Sequence, residues 1–199
     1  MRDELGAHVS AEGGLELAPG RAREIGAWSL QLFTKQPNRW REPTVSIQGA
    51  ELFRAAAKLD EIGATVSHDS YLINLASPDP VLWKRSLDSF RSELGRCELL
   101  GLDYLVTHPG NATDGQLDAG VSRNADALSQ ALAGVPGGVR VLLELTAGSG
   151  TSVGGTFERL AGIVDGISAE LRGRVGICFD TCHAYSAGYD LVRDYEGVW

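Results

Sequence analysis

The sequence predicts an α/β fold, a β/α barrel of the TIM type with about six of its eight β/α units in a single domain over residues 1–199. Three observations lead there. Strand-like and helix-like segments alternate six times, the pattern of a sheet covered by crossover helices. Strands such as VLLEL at 141–145 and VGICF at 175–179 are nearly all apolar, as parallel strands buried on both faces are. A doubly wound sheet would satisfy both points. The third favours the barrel: His8, His68, His108, His183 and Glu144 all fall at or just beyond the C-terminal end of an expected strand, and in a barrel those ends meet on the face where the active site is built.

Taken in order, Leu5 to Val9 is a short strand, and Gly14 to Ile25 has the spacing of a helix, with Leu15, Leu17, Ala22 and Ile25 apolar. Ala27 to Phe33 is the second strand. The segment QPNRWREPT is a loop by its Pro, Asn and charge content. A helix from Ile47 to Ile62 carries Leu52, Ala55, Ala56 and Leu59 at helical spacing and leads to a strand at Ala64 to His68. After the loop HDSYLINLASPDP, an amphipathic helix from Val81 stops at Gly101. Asp103 to His108 is strand four, Asp118 to Leu132 the next helix, and Gly137 and Gly138 end it. Val139 to Leu145 is strand five; TAGSGTSVGG then leads into a helix over Thr156 to Leu171. The sixth strand opens RVGICFDTCHAYSAGYD.

Composition narrows the function classes. Charges and the lack of an apolar run in MRDELGAHVS, with no stretch of membrane-spanning length elsewhere, predict a cytoplasmic protein with no membrane association. Three cysteines without a CxxC pair fit a reducing compartment. A net charge of −8 argues against nucleic-acid binding through bulk positive charge, so a polyanion partner needs a local positive site, which bound cations can provide.

In the sixth strand, Val175, Ile177 and Phe179 should share one face and Gly176, Cys178 and Asp180 the other. A carboxylate at the tip of so apolar a strand either caps the following turn or, with His183 three residues on, binds a cation. Imidazole and carboxylate donors suit Zn2+ or Mn2+, with Cys182 a lesser candidate ligand. The donors alone leave metal-assisted hydrolysis and sugar isomerisation both open.

GAHVSAEGGL, FTKQPNRW, HDSYLINLASP, THPGN, ELTAGSGTSVGGTFE and RVGICFDTCHAYSAGYDL together resemble the endonuclease IV family of apurinic/apyrimidinic endonucleases, along the whole chain. The resemblance implies a β/α barrel whose trinuclear zinc site hydrolyses the phosphodiester 5′ to an abasic site in duplex DNA, leaving a 3′-hydroxyl and a 5′-deoxyribose phosphate. Matched residue by residue, His68 and His108 are implied as ligands of the first zinc, and Glu144 as the catalytic carboxylate bridging the first and second. Asp180 is implied on the second zinc and His183 on the third. Tyr71 and Leu72 resemble residues that wedge into the duplex.

Departures from the family pattern carry expectations of their own. Asn38 stands where many relatives place an arginine that enters the duplex, so either the DNA contact passes to Arg39 or it is weakened. Leu145 replaces a polar residue after the bridging glutamate, which should disturb a hydrogen bond behind the metal. Six strands imply a C-terminally incomplete family member, with one full zinc site and parts of two others, and with open sheet edges on strands one and six that would drive association of an otherwise monomeric protein. The glycine-rich loop Ala147 to Gly155 either cradles a phosphate or supplies permissive turns. The alternatives are a non-catalytic metal- and DNA-binding fragment and a sugar isomerase or epimerase on the same barrel.

Overall fold

The computed structural model describes residues 5–199. Its strands are β1 (Gly6–His8), β2 (Ser29–Leu32), β3 (Ala64–His68), β4 (Tyr104–Thr107), β5 (Arg140–Glu144) and β6 (Val175–Cys178). Its α-helices are α1 (Ala18–Glu24), α2 (Ile47–Leu59), α3 (Pro80–Leu100), α4 (Leu117–Gly134), α5 (Phe157–Gly166), α6 (Thr181–Ser186) and α7 (Tyr195–Val198). All strand pairs are parallel and the sheet order is β1-β2-β3-β4-β5-β6. A doubly wound sheet reverses its strand order at a switch point, and an unreversed order rules that alternative out.

Local chemistry sets the helix boundaries. Asp79 accepts hydrogen bonds from the backbone of Val81 and Leu82 ahead of α3, and Pro80 occupies the first turn, where no N–H is needed. Gly101 ends the same helix in the left-handed region at φ 70°. Ser46 and Thr156 cap α2 and α5 through the amides of Gly49 and Arg159.

Alternation then sorts the strand residues. Leu30, Leu32, Leu105, Val141 and Leu143 face the helices and are at most 1% exposed, packed with Phe53, Phe90, Leu94, Leu128 and Ile163. The opposite face follows from the register: His68 pairs with Val106, Val106 with Leu142, Leu142 with Gly176, and one pleat further on Glu144 pairs with Cys178. The functional side chains therefore project from the concave side at the C-terminal strand ends, as in a barrel.

The structure corrects several expectations. The stretch 14–25 is a 3₁₀ turn at Leu15–Leu17 followed by α1, with Pro19 in the helix's first turn, rather than one helix. The helix expected to reach Leu171 stops at Gly166. Ile177 is 44% exposed rather than buried like Val175, because β6 has a strand neighbour on one side only. Among the described residues no helix is long and apolar enough to cross a membrane.

Candidate metal centre

His68 is the last residue of β3, His108 follows the end of β4, Glu144 ends β5, and Asp180 and His183 lie at the start of α6, just beyond β6. Donor atoms of His68, His108 and Glu144 lie within 4.8 Å of one another, and so do those of Glu144, Asp180 and His183. Glu144 belongs to both groups. Its Oε2 is 3.1 Å from His68 Nε2 and 3.4 Å from His108 Nε2, while its Oε1 is 3.0 Å from His183 Nδ1. The donor set of imidazoles and carboxylates without thiolate fits a divalent cation of the zinc or manganese kind. The second group brings Asp180 and His183, which the resemblance implies on the second and third zinc, to within 4.8 Å of the shared Glu144.

Supporting contacts fix the ring orientations. His68 Nδ1 lies 2.9 Å from the carbonyl of Asp69; donating there leaves Nε2 with its lone pair toward the site. His183 Nδ1 lies 3.0 Å from the carbonyl of Leu145. The Leu145 side chain is itself fully buried in the helix-facing core. Residue 145 therefore touches His183 through its backbone carbonyl. Asp180 meets the plainer of its two expectations: its Oδ1 caps α6 by accepting from the His183 amide at 2.7 Å.

Electrostatics follow from this packing. Burial alone would raise the Glu144 carboxyl, but hydrogen bonds from His108 and His68 and their charge outweigh it and hold the group down at about 2. His68 is pushed down by burial and more strongly up by Glu144 and Asp69, so it ends above 6.5. Asp69, buried behind His68 and accepting from Thr107 Oγ1 at 2.6 Å, is driven up to about 8 by desolvation. Burial, Glu144 and Asp180 raise the Cys178 thiol to about 11, so it lines the site as a neutral thiol. Cys182 is exposed and falls outside both groups.

A pH dependence results. His68, raised above 6.5, stabilises the fold fully below that value and loses its contribution as pH rises through the folded pKa. Asp69, raised from 3.8 to about 8, acts in the same direction over a wider range. Glu144, lowered from 4.5, contributes above 4.5 and loses its contribution only as pH falls through about 2. The metal-free protein should therefore melt at a lower temperature at about pH 8 than at about pH 5.5, and the gain on adding Zn2+ should grow over the same rise, since the cation needs unprotonated rings. Thermal melts at both pH values with and without zinc would check this; a zinc effect that shrinks as pH rises would contradict the assigned ligands.

Not every expected residue joins the cluster. His8 lies outside both groups, its ring against Phe33 and its Nδ1 2.9 Å from the side-chain amide of Gln31, so three of the four histidines converge rather than all four. Tyr71, 56% exposed, overhangs the centre with its ring centroid 5.5 Å from that of His68 and 6.1 Å from that of His108. Leu72 is half-buried beside it, and Arg39 is exposed on the β2–α2 loop. A cavity of about 450 Å³ under Tyr71 is bounded by His68, His108, Glu144, Asp180 and His183. Sequence reasoning missed Asp69 and Thr107, whose only signal is adjacency to His68 and His108. In the glycine-rich loop the backbone crosses itself: a Cβ on Gly155 would lie 2.4 Å from Gly148 Cα, so these glycines are needed for close approach.

A family model described as "Xylose isomerase-like TIM barrel" matches residues 19–197. The chain is 45% identical over 195 residues to a "Probable endonuclease 4" of Methanoculleus marisnigri, covering 98% of this chain and 68% of the relative. A protein of the same description from Chloroflexus aurantiacus is 45% identical over 194 residues, covering 97% and 67%. The crystal structure of endonuclease IV from Thermus thermophilus superposes with a TM-score of 0.85 at 36% identity, over 98% of this chain and 69% of that one. A D-tagatose 3-epimerase-like protein shares the fold at TM-score 0.70 and 20% identity, over 92% and 68%. The chain thus spans about two thirds of the length of these proteins.

Proposed function

Since the chain belongs to the endonuclease IV family of xylose isomerase-like TIM barrels, we propose that it carries the strand-tip metal centre of an apurinic/apyrimidinic endonuclease that hydrolyses the phosphodiester 5′ to an abasic site in duplex DNA, in the cytoplasm. The observation that supports this most is that His68, His108, Glu144, Asp180 and His183 converge beneath Tyr71 in two donor groups sharing Glu144. His68, His108 and Glu144 would hold one cation, Glu144 and Asp180 would supply part of a second, and His183 would contribute to a third; Zn2+ suits these donors and Mn2+ is compatible with them. When bound, the cations supply Lewis acidity and an activated water to a phosphodiester.

The chain's own residues do the rest. Glu144, ionised throughout the neutral range, joins the two groups and fixes their spacing. Asp69 and the Leu145 carbonyl hold the rings of His68 and His183. Tyr71 and Leu72 would fill the gap left by a missing base, where unstacking costs least. Arg39 offers a guanidinium to the DNA backbone. A site built of carboxylates in a chain of net charge −8 needs its cations to attract a polyanion at all.

The test is incision of a duplex oligonucleotide carrying one abasic-site analogue, by the zinc-loaded chain. Cleavage beside the lesion that a chelator abolishes supports the proposal; a folded, zinc-loaded sample that leaves the duplex intact overturns the hydrolytic reading, and lesion binding without cleavage would identify a non-catalytic metal- and DNA-binding protein. Tyr71→Ala is expected to weaken affinity for the abasic duplex by about tenfold or more, the size of one stacking contact, with zinc content unchanged. Fluorescence anisotropy and metal analysis would check this.

A further inference from the structure

The β2–α2 loop, from Phe33 to Ser46, has no regular secondary structure, and loops of that length are uncommon unless functional. Yet Lys35, near its start, has a side chain only 2% exposed. A buried ammonium must be neutralised. Its Nζ donates to Glu42 Oε1 at 2.6 Å and to Ser89 Oγ at 2.9 Å. Glu42 Oε2 in turn accepts from Arg96 Nη1 at 2.7 Å, and Arg96 Nη2 donates to the fully buried Glu93 at 2.7 Å. Two cations and two anions thus close a balanced network between the loop and α3.

The consequence for the loop is geometric. Lys35 and Glu42 bracket residues 36–41 and bind each other, so the segment that bears Arg39 is pinched at its base and clamped to α3. Two further tethers hold its middle: Ser70 Oγ donates to the Pro37 carbonyl at 2.6 Å, and the Arg85 guanidinium lies 4.3 Å from the centroid of the Trp40 ring. Ser70 precedes Tyr71, so the loop carrying Arg39 and the residue overhanging the metal centre are joined. A buried ion network is a weak source of stability but demands one arrangement of its members. Ordering the loop during folding removes that cost from binding.

We propose that the Lys35–Glu42–Arg96–Glu93 network acts as a clamp that presets the β2–α2 loop for binding the nucleic-acid backbone, making Lys35 and Glu42 positioning residues for Arg39. The binding role rests on the function proposed above; the clamp itself does not. The test uses Glu42→Gln in the full chain, at a position whose side chain is 29% exposed and which touches no metal ligand. Tryptic cleavage after Arg39 and Arg41 should be at least about tenfold faster in E42Q, with zinc content unchanged. Affinity for an abasic duplex should fall about tenfold, and Arg39→Ala, costly in the parent chain, should add nothing in the E42Q background.

Equal cleavage rates in parent and variant would overturn the clamp. A full additional loss from R39A in E42Q would overturn the link to Arg39, because a loop already released has no positioned guanidinium to lose. Cleavage is read without DNA, so a parent chain that binds no abasic duplex counts against the proposed function alone. Should E42Q not fold, Lys35→Met opens the same clamp from its other side, leaves Glu42 paired with Arg96, and faces the same comparison.

Discussion

Glu144→Gln is expected to empty the metal centre. The carboxylate is the one residue common to both donor groups, with Oε2 between His68 and His108 and Oε1 against His183. An amide of the same shape keeps one oxygen but no charge and can no longer bridge, which leaves His68 and His108 in one group and Asp180 and His183 in the other as the remaining effective donors. Changes to residues that merely support a ligand already cost about 10–100-fold in metal affinity or activity. Loss of a shared ligand should exceed that, leaving zinc below about a tenth of the parent's content after dialysis, and any incision reduced more than about 100-fold. Elemental analysis and the abasic-duplex assay read these separately. An E144Q variant that retains full zinc would remove the basis for placing the cations here.

Much of this centre was readable before folding, because a parallel β/α repeat converts position in sequence into position in space. Each strand ends on the same face, so His68, His108 and Glu144 are far apart in sequence and within hydrogen-bonding distance in the structure. The bounds of β3 and the start and stop of α3 follow from local signals: apolar alternation, the Asp79–Pro80 cap and Gly101. His8 shows where the rule fails: one strand separates β1 from β3 just as one separates β3 from β5, but the His8 ring packs on Phe33 and its Nδ1 is held by Gln31, outside both groups.

The supporting layer was illegible for a different reason. A buried polar residue has no periodicity of its own, and its partner is fixed by tertiary contact. Nothing in FTKQPNRW distinguishes a solvent-facing lysine from Lys35, neutralised from α3. The same holds for Asp69, whose carboxylate meets Thr107 on the neighbouring strand. Ile177 misled in the opposite sense: alternation correctly gave its face, but burial of that face depends on neighbours that an edge strand lacks.

Arg96→Met should show what the hidden layer costs when it is broken. Glu93 is fully buried, and although Thr34 and Ser67 also donate to it, Arg96 is the cation that balances it and shares Glu42 with Lys35. Removing that cation leaves a carboxylate in a low-dielectric core, a change that costs about 3–5 kcal/mol. For a chain of this size the melting temperature should drop by roughly 6–20 °C, at about 2–4 °C per kcal/mol. Replacing both members, Glu93→Leu with Arg96→Met, removes the stranded charge together with its partner and should recover most of the loss while Lys35 and Glu42 remain paired. Thermal melts of the parent, the single variant and the double variant decide the point. A double variant no more stable than the single would mean that the loss came from packing of the Arg96 side chain; recovery of stability would mean that the pair contributes geometry to α3 and the β2–α2 loop at little net gain in folding free energy.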